Sequence, residues 1–484
     1  MDKKGLSALF TDFYALTMAQ GHWRHNPQRQ AVFEMAFRRQ PFGGGYTVFA
    51  GLGTLLENLA AFSFSDDDLE YIKNLGGFDN GFLDYLKNFR FSGSLWSVDE
   101  GTVVFPQEPL IRISGNLIEC QLIEAMLLNT INFQSLIATK TRRVWLASGQ
   151  GSIMEFGLRR AQGPDGALSA SRAAFIGGAI GTSNTMAGKA YGIPVMGTMG
   201  HSWVMAFQTE EESFDAYADI YPERTVFLID TYDTIKYGVV NAIKAGAKLN
   251  AQGKKFGVRL DSGDIEYLSV QVRKMLDEAG FNDASITVSN ELDETIIETL
   301  VRLGAPVDTW GVGTNMVTGG NDAALTGVYK MAACENKKGV MTPVMKFSDN
   351  PDKTTTPGVK QVWRLRDEQN SPVADILAID GPDEVESFQT GSKLCFWHTS
   401  GDYRHFFHEV VVEPQPLLKM RLNKGGRMSP KLSLAEIRSF SGQELETFNS
   451  TYKRLLNPHI YKVSMTEKLR NLKLELINSF VNSM

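Results

Sequence analysis

Cysteine is nearly absent from this sequence. Three occur in 484 residues, Cys120, Cys334 and Cys395, and they lie far apart. They form no C-x-x-C and no disulfide framework, so a structural zinc site is not expected and the default compartment is a reducing cytoplasm. Long apolar runs are missing too. No stretch reaches the ~18 uninterrupted apolar residues that a membrane span needs. The segment Met1–Gln20 has no apolar signal core and no small-residue cleavage site. Lys and Arg form no run or basic face, and the formal net charge is −6, so no nucleic-acid partner is expected. An anionic substrate would have to be held by a few local arginines. Internal repeats and low-complexity tracts are absent. Two common phosphate fingerprints are also missing. Gly188-Lys189 is followed by Ala190, and position 183 is Ser, so there is no Walker A motif. Gly311-Val312-Gly313 has Met316 where a dinucleotide fingerprint needs its third glycine.

What is present is an apolar content of 43%, enough to bury a large core in about two or three domains. Residues 1–150 mix helix and strand signals and read as an N-terminal α+β domain, completed by part of 346–484. Leu9–Trp23 has helical spacing, Ala31–Arg38 alternates like a strand, Trp96–Gly115 reads as short strands around turns, and Asn116–Ser148 is apolar at helical spacing. From 151 to 345 the rhythm changes. Short apolar runs at Ser152–Gly157, Ala174–Ile180, Pro194–Gly197, Thr225–Ile229, Lys255–Leu260, Ser285–Val288 and Thr309–Gly313 alternate with helical patterns, notably Thr234–Asn250, Ile265–Ala279 and Glu291–Leu303. This βαβ rhythm predicts an α/β fold, a parallel α/β barrel, closed or nearly so. Residues 346–484 read as an extended, turn-rich segment, with turns such as Asp349-Asn350-Pro351, followed by helices at Ser433–Asn449 and Pro458–Asn482.

Polar and glycine residues gather after each predicted strand: Arg159 and Arg160; Ser183 and Asn184; Gly197-Thr198-Met199-Gly200-His201; Asp230-Thr231-Tyr232-Asp233; Asp261-Ser262-Gly263-Asp264; Ser289-Asn290-Glu291; and Gly313-Thr314-Asn315. In a parallel barrel these ends converge on the face that carries the active site. Gly311–Thr314 offers free backbone N–H groups and a hydroxyl to an anion. Asp230 and Asp233, like Asp261 and Asp264, are spaced to suit Mg²⁺ or sugar hydroxyls. Capping of the next helix remains an open alternative for Asp233 and Asp264. His201, directly after a glycine-rich turn on the same face, reads as a nucleophile or general base. His405 and His408 read as surface residues, and Lys424–Arg427 as a solvated loop.

These motifs resemble the nicotinate phosphoribosyltransferase family along nearly the whole chain. The segments that carry the resemblance are Thr11–Tyr14 with Thr17–Ala19, Phe37–Gly44, Glu155–Gly163, Gly197–Ser202, Val258–Asp264 and Gly311–Asn315. The resemblance implies a type II phosphoribosyltransferase fold, an irregular α/β barrel with an N-terminal α+β domain, working as a homodimer with shared active sites. It implies a ligase that makes nicotinate mononucleotide from nicotinate and phosphoribosyl pyrophosphate, the first step of NAD salvage from nicotinate. ATP would be a co-substrate, Mg²⁺ a cofactor, and His201 the phosphorylated residue, with Asp261 beside it in catalysis. The alternative is the nicotinamide-using enzyme of the same fold. Tyr14 (from the neighbouring subunit), Thr198 and Arg259 would contact nicotinate. Arg159, Asp264, Gly313 and Thr314 would hold phosphoribosyl pyrophosphate, with Asp261, Asp264 and Asp230 as Mg²⁺ ligands. Asn184 stands where nicotinamide-using relatives carry Asp, and is expected either to select the base or to cap a helix.

Overall fold

The computed structural model describes residues 6–348, 353–381, 384, 394–407 and 412–483. The turn expected at Asp349–Pro351 and the expected surface residue His408 lie outside them. The chain divides into two compact units: residues 137–323, and residues 1–136 together with 324–484. One boundary falls inside the continuous helix Glu124–Ala147 rather than at 150. The other precedes the strand Gly327–Glu335, which pairs with Gln30–Phe37 and so belongs to the first stretch of the chain rather than to the unit before 345.

The 137–323 unit is built on six parallel strands: β1 (Ser152–Glu155), β2 (Gly181–Thr182), β3 (Thr225–Leu228), β4 (Phe256–Leu260), β5 (Ser285–Asn290) and β6 (Thr309–Val312), in the order β2-β1-β6-β5-β4-β3. Their short apolar runs are buried on both faces, as parallel strands between helices require; Val258, Leu260, Ile286, Val288 and Val312 are fully enclosed. Val195 adds one parallel bridge to Thr182 beyond β2. This bridge is all that forms of the strand expected at 194–197. The strand expected at 174–180 is instead the end of the helix Gly163–Gly177. Its run of alanines and its buried face at helical spacing outweigh the local apolar signal, and only Gly178, at φ 123°, ends it. Parallel β2 follows directly.

The other unit holds a seven-stranded sheet in the order 341–343, 327–335, 30–37, 111–116, 94–97, 419–423, 426–427. It also holds a six-stranded sheet in the order 404–407, 394–398, 463–465, 372–379, 360–366, 412–416. The expected helix at 458–482 begins only at Glu467, because Val463–Met465 pairs parallel to Asp375–Leu377. Lys424–Arg427 forms the exposed end of the 419–427 hairpin. His405 is half-buried rather than on the surface, its Nδ1 lying 2.8 Å from the Ser464 hydroxyl.

Arg364, fully enclosed, ties this unit together. It meets Asp375 at 2.6 Å and Glu444 at 2.6 Å, and donates to the Val103 carbonyl at 2.7 Å. Removing the cation strands two carboxylates in a low-dielectric core. Arg364→Met is therefore expected to lower unfolding free energy by about 3–5 kcal/mol in urea titrations; a loss below about 1 kcal/mol would contradict this reading.

Candidate active site

The carboxyl ends of β1 to β6 surround one cavity of about 540 Å³ in the 137–323 unit. Two close packings shape it. Gly311 lies so near the Phe156 ring that a Cβ there would sit 2.7 Å from it. Buried Glu155 accepts hydrogen bonds from the Ser171 hydroxyl, the Thr182 hydroxyl and the Gly157 N–H, which fixes the turn after β1.

Arg259, on β4, projects into this cavity with its side chain 14% exposed. Its Nε donates to the Ser289 hydroxyl at 2.8 Å, one terminal nitrogen to the Thr198 hydroxyl at 3.0 Å, and the other to Asp261 Oδ1 at 2.7 Å. Its Cζ sits 5.5 Å from the Phe156 ring centroid, within cation–π range. Burial pulls the Asp261 carboxyl upward, but the Ser289 hydroxyl, the Arg259 cation and His201 outweigh it and hold the group below its ordinary value. His201 opens the short helix His201–Met205. Its Nε2 stands 3.6 Å from Asp261 Oδ2, and its Nδ1 stands 3.1 Å from the Thr231 hydroxyl. Arg159 and Arg160 line the same cavity, exposed and without an ion-pair partner among the described residues.

An imidazole held beside a carboxylate, a half-buried arginine with unused donors and two exposed guanidinium groups together fit a transfer between anionic substrates. Comparison with known proteins decides the family. The model of the nicotinate phosphoribosyltransferase family matches residues 152–373, its N-terminal domain matches 9–132 and its C-terminal domain 359–473. A nicotinate phosphoribosyltransferase of Bacillus subtilis is 39% identical over 478 residues, covering 97% of this chain and 95% of the relative. One from Dictyostelium discoideum is 36% identical, covering 96% and 87%. The crystal structure of human nicotinic acid phosphoribosyltransferase is 30% identical, with a TM-score of 0.83 over 96% of this chain and 99% of that one.

The chain belongs to the nicotinate phosphoribosyltransferase family. As a member of it, the chain brings His201, Asp261, Thr198, Arg259, Arg159, Gly313 and Thr314 to one cavity, as its motifs predict. Asp230 lies just behind: its Oδ2 accepts from the Asp261 N–H at 2.9 Å and the Ser262 hydroxyl at 2.6 Å. Asp264 and Asp233 cap helices, accepting from Tyr267 N–H and from Ile235 and Lys236 N–H. Asn184 departs from the expected contact with the base. It is buried, its Oδ1 caps the helix Thr185–Tyr191, its amide faces Ser171 and Ala167, and it is not among the residues lining the cavity. The neighbouring Ser183 lines the cavity instead. Tyr14 belongs to the other unit, where its hydroxyl donates to Glu124 at 3.3 Å.

Phe156, Arg160, Ser289 and Asn290 also line the cavity without a role foreseen for them. Ser289, Asn290 and Arg160 stood among the strand-end residues, which was the available signal. Asn290 adds a φ of 135°, unusual for a side-chain-bearing residue and a mark of strain held at a functional site.

The depressed Asp261 carboxyl sets a pH test. Its stabilising contribution is complete above the unfolded value of 3.8 and disappears as pH falls through the lower folded value. The stability difference between wild type and Asp261→Asn, measured in urea from about pH 6 down to about pH 3, should therefore narrow below about pH 4. A difference that stayed constant or widened there would contradict the pairing.

Proposed function

We propose that this chain makes nicotinate mononucleotide from nicotinate and phosphoribosyl pyrophosphate, with ATP phosphorylating His201, in NAD salvage from nicotinate. The observation that carries the proposal is the Arg259 guanidinium, held on three sides at the wall of a cavity that also contains His201 and two unpaired arginines. Three of its five N–H donors meet Ser289, Thr198 and Asp261. A fourth makes only a 3.5 Å contact to the Met199 carbonyl. Donors therefore remain for the carboxylate of nicotinate, while Phe156 offers its ring face to the pyridine.

Arg159, Arg160 and the Gly313–Thr314 turn supply cations, N–H groups and a hydroxyl for the phosphates. In the transfer, the pyridine nitrogen forms a bond to C1 of the ribose as the C1–oxygen bond breaks, and the electron pair leaves with pyrophosphate. Holding both substrates in line supplies much of the rate. Arginines facing the departing oxygens stabilise the charge that grows there. Phosphorylated His201 would add about −1.5 to −2 charges beside Arg159 and Arg160, which couples ATP to the arrangement of the substrate loops.

Among the described residues no group of three or more His, Cys, Asp or Glu could hold a metal ion alone. A Mg²⁺ that arrives on pyrophosphate needs only one or two protein carboxylates. Asp230 fits: its Oδ1 is buried without a hydrogen-bond partner. Asp230, with Asp261 beside it and Asp264 farther along the loop, would hold the ion, which neutralises the leaving group when bound.

Other parts of the reading stand on separate observations. The Val195–Thr182 bridge and the Arg259–Thr198 bond support an irregular parallel α/β barrel. Phe13, Tyr14 and Met18 are exposed on one helix, which suits burial against a second subunit of a homodimer, with Tyr14 reaching the partner's site. No helix among the described residues is long and apolar enough to cross a membrane, and the three cysteines are unpaired; a cytoplasmic location is part of the proposal.

The test is a product assay with nicotinate and nicotinamide side by side, each with and without ATP. Nicotinate mononucleotide should form, faster with ATP. His201→Ala should retain slow transfer without ATP stimulation. Preference for nicotinamide, or ATP stimulation that survives in His201→Ala, would overturn the reading.

A further inference from the structure

We infer that His398 is an acid-sensitive clasp in the unit that holds the six-stranded sheet. While neutral, its imidazole closes the loop of the hairpin formed by Leu394–His398 and Arg404–Phe407. On taking up a proton, it releases that loop.

Backbone pairing reaches the loop through His398 N–H, which donates to the Tyr403 carbonyl at 3.0 Å. Beyond that pair, a side chain holds the turn. Ser400 N–H and Gly401 N–H both donate to His398 Nδ1, at 3.1 and 2.8 Å. An Asn or Asp oxygen commonly plays this part at the start of a turn. A ring nitrogen accepts only through a bare lone pair, so Nδ1 is unprotonated and the single proton of the neutral ring sits on Nε2. An imidazolium has no acceptor left. A proton on Nδ1 would therefore point at two N–H groups and break both contacts at once.

The surroundings do nothing to compensate a charge there. Tyr403 stacks on the imidazole, with ring centres 4.6 Å apart, and His405 meets it edge-on at 5.4 Å. Gly401 makes room for this packing: a Cβ there would collide with the Tyr403 ring and come within 3.2 Å of His398 Nδ1. His405 is itself anchored to the Ser464 hydroxyl of the neighbouring strand. On the hairpin, Asp402 is paired with Arg470 and Arg404 with Glu467, both partners coming from the helix that begins at Glu467. The same helix brings Lys473, which donates to the Thr399 carbonyl at 3.3 Å, and Lys462 adds a further cation beside His405. Among the described residues, the carboxylates near this loop are thus already engaged. Burial holds the His398 imidazole below its ordinary value of 6.5, and burial, His398 and Lys462 together do the same to His405.

The closed hairpin therefore binds fewer protons than the open one. Its clasp is complete above pH 6.5 and is lost as pH falls through the lower folded value. In the open form the ring titrates near its ordinary value, so His398 alone should raise the opening equilibrium about tenfold between pH 7.5 and pH 5.5. Phe396 and Phe407 of this hairpin belong to the core of the sheet. Opening uncovers them, which makes the hairpin the place where acid first loosens that sheet.

The test is hydrogen–deuterium exchange of the full chain from about pH 7.5 to about pH 5.5, read by mass spectrometry and corrected for the intrinsic pH dependence of exchange. Wild type, His398→Asn, His398→Ala and His405→Gln are compared, with peptides from strands 30–37 and 111–116 as internal reference. In wild type, protection of peptides spanning 394–407 should fall about tenfold across this range while the reference peptides hold. His398→Asn keeps an acceptor for both N–H groups and does not titrate, so its protection should not change with pH. His398→Ala should be poorly protected throughout, and His405→Gln should keep the fall. Wild-type protection that stays constant with pH would overturn the inference, as would a fall that persists in His398→Asn or disappears in His405→Gln. A fall shared equally by the reference strands would also overturn it, because loosening would then be global rather than local to the clasp.

Discussion

Arg259 must stay fixed for the cavity to keep its form. Its planar guanidinium links three segments: Ser289 near the end of β5, Thr198 from the segment beyond β2, and Asp261 after its own strand. A lysine could supply the charge but not the fork, because an ammonium has neither the plane nor the fixed donor directions. The pair with Asp261 does two things at once. It keeps a partly buried cation compensated, and it holds an ionised carboxylate beside His201. Remove the arginine, and Asp261 loses one of the partners that, with the Ser289 hydroxyl, hold its carboxyl below the ordinary value; remove Asp261, and the guanidinium loses one of its anchors.

The same logic recurs in the other unit at a different depth. Arg364 is wholly buried between Asp375 and Glu444, with every partner a protein group, so it serves only the fold. Arg259 is paired on one side and keeps donors toward open space. Arg159 and Arg160 are unpaired and exposed. This gradient, from fully paired to unpaired, separates the arginine that holds structure from those that line the cavity and that the proposed function assigns to ligands.

Much of this was legible in the sequence, for definite reasons. Parallel strands bury both faces, so β1, β3, β4, β5 and β6 appear as plain apolar runs, and their polar ends point to the site. Ala174–Ile180 misled because an alanine-rich buried helix is as apolar as a strand, and a window of seven residues cannot separate the two periods. Val463–Met465 was hidden because its pairing partner lies about 90 residues earlier, at Asp375–Leu377. At the site, side-chain direction was the missing quantity. Ser183 and Asn184 are neighbours in sequence, yet one lines the cavity and the other turns inward to cap a helix. Thr231 stood among the strand-end residues with no role of its own, and only the structure shows its hydroxyl 3.1 Å from His201 Nδ1.

The central claim is that Asp261 and Arg259 act as one unit in reading nicotinate. A double-mutant cycle of Arg259→Gln and Asp261→Asn, measured as kcat/KM for nicotinate, tests it most directly. If the account holds, the double variant should be less impaired than the sum of the single variants, with a coupling of about 1–3 kcal/mol. Single-variant effects that add to within about 0.5 kcal/mol would contradict it.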